Sequence, residues 1–163
     1  MKLTDFFLAE LEREAAITRR ALQQVPEGRN DWKPQGETMA LGYLASLVAT
    51  MPSWIETMIR HNELDLKSPA AARFKPCEWR TRAELTAALD SAVAEARQAL
   101  ATTTDDHLEE SCKFVIGGRV VDESPRHVMI SEDVFRHMAH HRGQLTVYLR
   151  MSEACGVGTL ARG

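Results

Sequence analysis

Three of the chain's six histidines fall within five residues, in the stretch Phe135-Arg136-His137-Met138-Ala139-His140-His141-Arg142-Gly143-Gln144-Leu145. His137 and His141 are four apart, so on a helix they stand one turn above each other on one face. Two imidazoles in that arrangement can converge on one divalent metal ion, Zn or Ni being apt for nitrogen ligands. His140 is turned about 100° from His141 and flanks that face. The pair also has a plainer reading, as two core histidines satisfied by hydrogen bonds. Unpaired imidazole nitrogens among apolar neighbours are costly, and a shared cation is one way of satisfying them.

A zinc site takes at least three protein ligands, and one of this kind is completed from a facing helix. The facing stripe of the second helix offers Leu44, Leu47, Val48 and Met51, none of them a normal ligand. His61 points roughly the same way as Leu47 but lies about 21 Å further along the helix axis, so it cannot close the same site. Tyr43 and Thr50 flank the stripe and supply only hydroxyls.

The elements that must position these residues are mostly helical. A first helix is expected over about residues 4 to 24, capped by Thr4 or Asp5, with Leu3, Phe7, Leu11, Ala15 and Leu22 inward. Pro26-Glu27-Gly28 ends it. The turn-rich loop that follows carries Trp32, expected to plug one end of a bundle. A second helix is expected over about 39 to 61, with Ala40, Leu44, Leu47, Val48, Met51, Ile55 and Met58 as its apolar stripe. Pro52 lies inside it and should kink it. Asn62 to Trp79, with Pro69 and Pro76, reads as a polar crossover.

Thr81-Arg82-Ala83-Glu84 is a capping box opening the third helix, whose inward residues run from Leu85 to Leu100. His107 follows it and is expected to be solvated. Phe114 to Val121 reads as two short β-prone runs around Gly117-Gly118, a small hairpin or extended loop rather than a sheet, for want of a third strand. The last helix has two candidate starts, at Ser124-Pro125 or at Ser131, and a short turn at about 125–129 followed by the main helix would use both. Its main body is expected from 131 to about 153, with Val134, His137, Met138, His141, Leu145, Tyr148 and Leu149 inward. The fold class expected is all-α: one domain, residues 1–163, built as a four-helix bundle.

Composition narrows the function classes. The net charge is −3, with a pI near 6.1 and no basic run, which argues against nucleic-acid partners. No apolar stretch reaches membrane-spanning length, and the first residues are no signal peptide. Cys77, Cys112 and Cys155 are odd in number and scattered, as free thiols of a reducing cytoplasm would be.

The segment His137-x-x-x-His141-Arg142-Gly143-Gln144-Leu145, followed by Thr146-Val147-Tyr148-Leu149-Arg150, resembles the last-helix signature of the DinB family. Met39-Ala40-Leu41-Gly42-Tyr43-Leu44, Met51-Pro52-Ser53-Trp54, Phe114-Val115-Ile116-Gly117-Gly118-Arg119 and Ser124-Pro125-Arg126 are similar to one branch of it. The resemblance implies an up-down-down-up four-helix bundle, commonly a homodimer. It also implies a divalent metal held by three histidines. Two of them match His137 and His141; Leu47 takes the place of the third. Related proteins transfer or isomerise thiol adducts, the metal presenting a small-molecule thiol as its thiolate.

With Leu47 in that place, the expectation is a stress-related protein with a degenerate metal site and no strong catalysis. The alternatives are a metal-dependent thiol S-transferase-like enzyme, or a small-molecule binding module with a pocket lined by Leu47, Met51 and Met138. Arg142 is expected to cap or salt-bridge across the bundle, Gln144 to make a polar link, and Gly143 to allow close helix approach.

Overall fold

The structure is a computed structural model and describes residues 1–75 and 79–160. Helix α1 (Leu3–Leu22) turns Phe7, Leu11, Ala15, Thr18 and Leu22 inward. Neither Thr4 nor Asp5 caps it: the N-cap residue is Lys2, whose side chain makes no capping bond. The Asp105 carboxylate does so from the far side of the chain, accepting from the Leu3 N–H at 2.9 Å and the Thr4 N–H at 3.0 Å. The first amides of a helix lack partners within it, and a carboxylate there also opposes the helix dipole.

The second helical stretch breaks at Pro52. Helix α2 (Leu41–Thr50) passes through a 3-10 turn (Met51–Ser53) into α3 (Trp54–Arg60), because proline carries no N–H for the α ladder. Helix α2 is buried on almost every side, Tyr43 and Thr50 excepted. It is thus a central helix rather than one with a single inward stripe. Its entry is set by Gly42, whose N–H donates to the Asn30 carbonyl at 2.9 Å. A Cβ at that position would stand 2.8 Å from Asn30 Cβ.

Strand β1 (Glu63–Asp65) and a 3-10 turn (Pro69–Phe74) occupy the expected crossover. Pro76 and Cys77 lie outside the described residues, as does the side chain of Cys155; Cys112 is a buried free thiol. Helix α4 (Arg82–Thr102) opens with the expected capping box of Thr81 and Glu84. Helix α5 (Asp105–Glu109) leads into β2 (Ser111–Ile116) and β3 (Arg119–Pro125), joined by Gly117 and Gly118, both at positive φ. Such φ values are what a two-residue hairpin turn requires.

The hairpin belongs to a three-stranded sheet of order β1-β2-β3, with β1 parallel to β2. The expectation of an all-α chain is therefore corrected to a mostly helical chain with a small sheet. Three residues at the end of a helix show no period of their own; they become a strand because the chain leaving α3 runs beside β2. Lys113 N–H donates to the Asn62 carbonyl and Leu66 N–H to the Val115 carbonyl.

The last helical stretch opens on the short turn expected at about 125–129. Helix α6 (Arg126–Met129), a π-helical segment (Ile130–Arg136) and α7 (His137–Leu160) follow one another directly. Pro125 is the N-cap residue, and Ser131 lies inside the run, its hydroxyl on the His127 carbonyl. Helix α4 packs on α1, α2 and α3, and α2 packs on α7. Among the described residues, no helix is long and apolar enough to cross a membrane.

Two polar residues tie the sheet to the helices. Arg126 is 0% exposed. Its guanidinium donates to the carbonyls of Met58, Glu110, Ser111 and His61 and to the Asn62 side chain. His107 is pinned rather than solvated, with Nε2 2.9 Å from the Ile59 carbonyl and Nδ1 3.1 Å from Glu110 Oε2.

Candidate metal centre

The π-helical segment delivers the chain to His137, the first residue of α7. A π turn holds an extra residue and re-aims the helix beyond it, and such segments often mark functional sites. One turn on, His141 is buried. The expected inward stripe holds: Val134, Met138, Leu145 and Leu149 are core residues, and His137 and Tyr148 are half-buried beside them.

The two imidazoles face each other, with Nε2 of His141 2.8 Å from Nε2 of His137. Nδ1 of His141 lies 2.8 Å from Gln144 Oε1, an oxygen that only accepts, so that nitrogen carries the proton. The backbone of Asp133, one turn earlier, acts to raise the pKa of His137. Neutral His141 therefore opposes a bare Nε2 lone pair to Nε2 of His137. A proton or a cation between them relieves that opposition.

The surroundings disfavour the proton. Burial pushes the pKa of His137 down, with His140 adding to the effect against the bond to Asp133. Burial likewise lowers that of His141, opposed by Gln144 and reinforced by His137 and His140. Two nitrogens on one tetrahedral zinc stand about 3.3 Å apart at ordinary bond lengths, so a small opening of the pair admits a metal. A ring whose second nitrogen is anchored to a carbonyl is the usual state of a metal-binding histidine. The pair thus fits a divalent metal in its orientation, in the lowered pKa of both rings and in the anchored Nδ1 of His141.

It falls short in number. Among the described residues, no group of three or more His, Cys, Asp or Glu side chains is gathered where it could hold one ion. His140 is exposed and meets His141 only ring to ring, at 5.2 Å between centroids. Leu47 is 8% exposed and belongs to the apolar core, as do Met51 and Met138.

Trp54 is a neighbour of the pair that no local pattern in the sequence points to. Its ring centroid lies 5.8 Å from that of His137 and 5.1 Å from that of Phe74. It sits immediately after the turn at Pro52, so the kink in the second helical stretch also walls the histidine pair. Arg142 crosses to α1, pairing with Glu14 and donating to Thr18 Oγ1 at 3.1 Å. Gly143 does not serve close helix approach: a Cβ there would meet nothing within 4 Å.

The chain matches no known family model and no curated protein. Among solved structures it is similar to that of YjoA, a DinB-like protein from Bacillus subtilis, with a TM-score of 0.64 over 90% of each chain at 18% identity. The fold is DinB-like. At that identity the likeness concerns the DinB-like fold alone, and the chemistry rests on the residues themselves.

Proposed function

We propose that this chain is a DinB-fold protein with an incomplete divalent-metal site, in which His137 and His141 are the ligands present and Leu47 takes the place of a third imidazole. Strong catalysis of its own is not part of this reading, and a stress-related role goes with the family resemblance. The carrying observation is the facing Nε2 pair with no third ligand-type side chain gathered beside it among the described residues. Two imidazoles and water hold Zn or Ni far more weakly than a closed site. We read the helical packing as the up-down-down-up bundle that accompanies this resemblance.

The anchored Nδ1 of His141 favours a second reading, a metal-dependent thiol S-transferase-like enzyme. A bound metal would lower the pKa of a small-molecule thiol and present its thiolate. In that reading Gln144 and the Asp133 backbone orient the two ligand rings, and the buried wall at Trp54 limits water.

Metal analysis of protein purified without a nickel column separates the two. The first reading expects substoichiometric metal in the native chain and tight zinc binding in Leu47→His. Near-stoichiometric metal that disappears in His137→Ala would overturn it in favour of the second.

A further inference from the structure

The crossover that leaves α3 folds back around a cavity of about 70 Å³, room for a few waters or for the polar head of a small molecule. Its wall runs from Thr57 on α3 through β1 to Ser68 and the 3-10 turn at Pro69–Phe74. It is not the pocket expected at Leu47, Met51 and Met138, which are core residues. Neither His137 nor His141 lines it; Phe74, in its wall, meets Trp54, and Trp54 in turn meets His137.

One group of the wall is unsatisfied. Thr50, Thr86, Thr102 and Thr146 each donate their hydroxyl to the carbonyl four residues back, as helical threonines commonly do. Thr57 is helical too and 4% exposed, yet its Oγ1 has no partner among the described residues. A buried hydroxyl left unpaired is costly, and a polar ligand is one way to satisfy it. The rest of the polar wall is acidic. Glu63 and Asp65, two apart on β1, share a face of the strand. Asp65 accepts through Oδ1 from the amides of Lys67 and Gly117, and Glu63 makes no ion pair among the described residues. No lysine or arginine lines the cavity; Lys113, beside Glu63 in the sheet, is paired with Glu123. Ala71 and Phe74 supply the apolar side, and an aromatic face attracts cations.

We propose that this cavity binds the head of a small organic cation, an ammonium or guanidinium group on a short apolar stem. Glu63 and Asp65 meet its charge, the Thr57 hydroxyl accepts from one of its N–H groups, and Ala71 and Phe74 pack on its first methylenes. His61, the remaining ionisable residue of the wall among the described residues, supplies a ring acceptor in its neutral form. The balance of charge selects the ligand, since two carboxylates with no facing lysine or arginine repel an anion. A metal ion does not fit: no three His, Cys, Asp or Glu side chains are gathered around one point among the described residues. The site uses neither member of the histidine pair, so it stands or falls separately from the metal reading.

The probe is n-butylammonium, titrated into the full chain at pH 8 and followed by amide NMR, with butyrate and n-butanol as controls of the same stem. The expected result is saturable shifts at Thr57 and Ala71 with the ammonium, at a Kd about tenfold below that of either control. Glu63→Gln should weaken binding about two- to fivefold, the size of one partly exposed charge pair. Thr57→Val keeps the shape without the hydroxyl and should weaken binding about two- to tenfold, with a melting temperature unchanged or higher. Ala71→Leu fills the cavity and should abolish binding with an unchanged circular dichroism spectrum. No saturable binding, equal binding of butyrate or butanol, or a Kd that Glu63→Gln and Thr57→Val both leave unchanged would each overturn the proposal and leave the cavity to water.

Discussion

Gln144 holds His141 from one turn further along α7, its Oε1 lying 2.8 Å from Nδ1 of the ring. That bond decides which nitrogen of His141 is bare and therefore which can reach His137. Removing it in Gln144→Leu should let the ring change tautomer. The expected outcome is loss of the protected Nδ1–H signal in nitrogen-edited NMR, with added Zn or Ni binding about 10- to 100-fold more weakly. A tautomer and an affinity that both stay as in the native chain would show that the amide is incidental.

Asp105 links acid stability to the start of α1. The bond from the Thr4 amide, joined by those from the Leu3 amide and the Thr4 hydroxyl and by the charge of Lys2, holds its carboxyl below the usual range against a desolvation cost. Its folded-state pKa is depressed, so the stabilisation is present above the unfolded value of about 3.9 and is lost as pH falls through the lower folded value. Melting temperatures of the native chain and Asp105→Ala should differ at neutral pH and converge as pH drops from about 4 toward 2. A gap that does not change with pH would remove the carboxylate from the account.

Arg126 is the polar hub of the sheet. Truncation to Ala strips donors from the carbonyls of Met58, Glu110, Ser111 and His61 at once. Leaving buried polar groups without a partner in this way should cost about 3–5 kcal/mol in urea unfolding. Lysine should recover little, since one ammonium cannot span the same acceptors. A loss under about 1 kcal/mol would mean that water replaces the guanidinium.

Two glycines should respond in opposite directions to the same substitution. Gly42→Ala drives a methyl to 2.8 Å from Asn30 Cβ and 3.2 Å from its Cα, so it should destabilise by about 1–3 kcal/mol. Gly143→Ala meets nothing within 4 Å inside a helix, so it should stabilise by about 0.5–1 kcal/mol. Chemical denaturation of the two variants reads both signs, and equal effects would contradict the packing described.

Much of this chain is legible in its local chemistry. The periodicity of Phe7, Leu11, Ala15 and Leu22, the capping box at Thr81 and Glu84, the break at Pro52 and the turn at Gly117-Gly118 involve residues at most a few positions apart, where sequence and geometry are tied. The same holds for His137 and His141, because four residues on a helix fix a common face. Contacts between distant segments are decided only by the tertiary structure. The third strand exists because Glu63–Asp65 is laid beside β2, which makes the sheet invisible to a pattern three residues long. Asp105 caps α1 and Trp54 walls His137 because helices that meet only after folding bring them there. The absence of a third ligand-type side chain around the pair, among the described residues, is likewise a property of packing. Sequence can propose Leu47 as the place to look, but which side chains converge on one point depends on how α2 and α7 are set against each other.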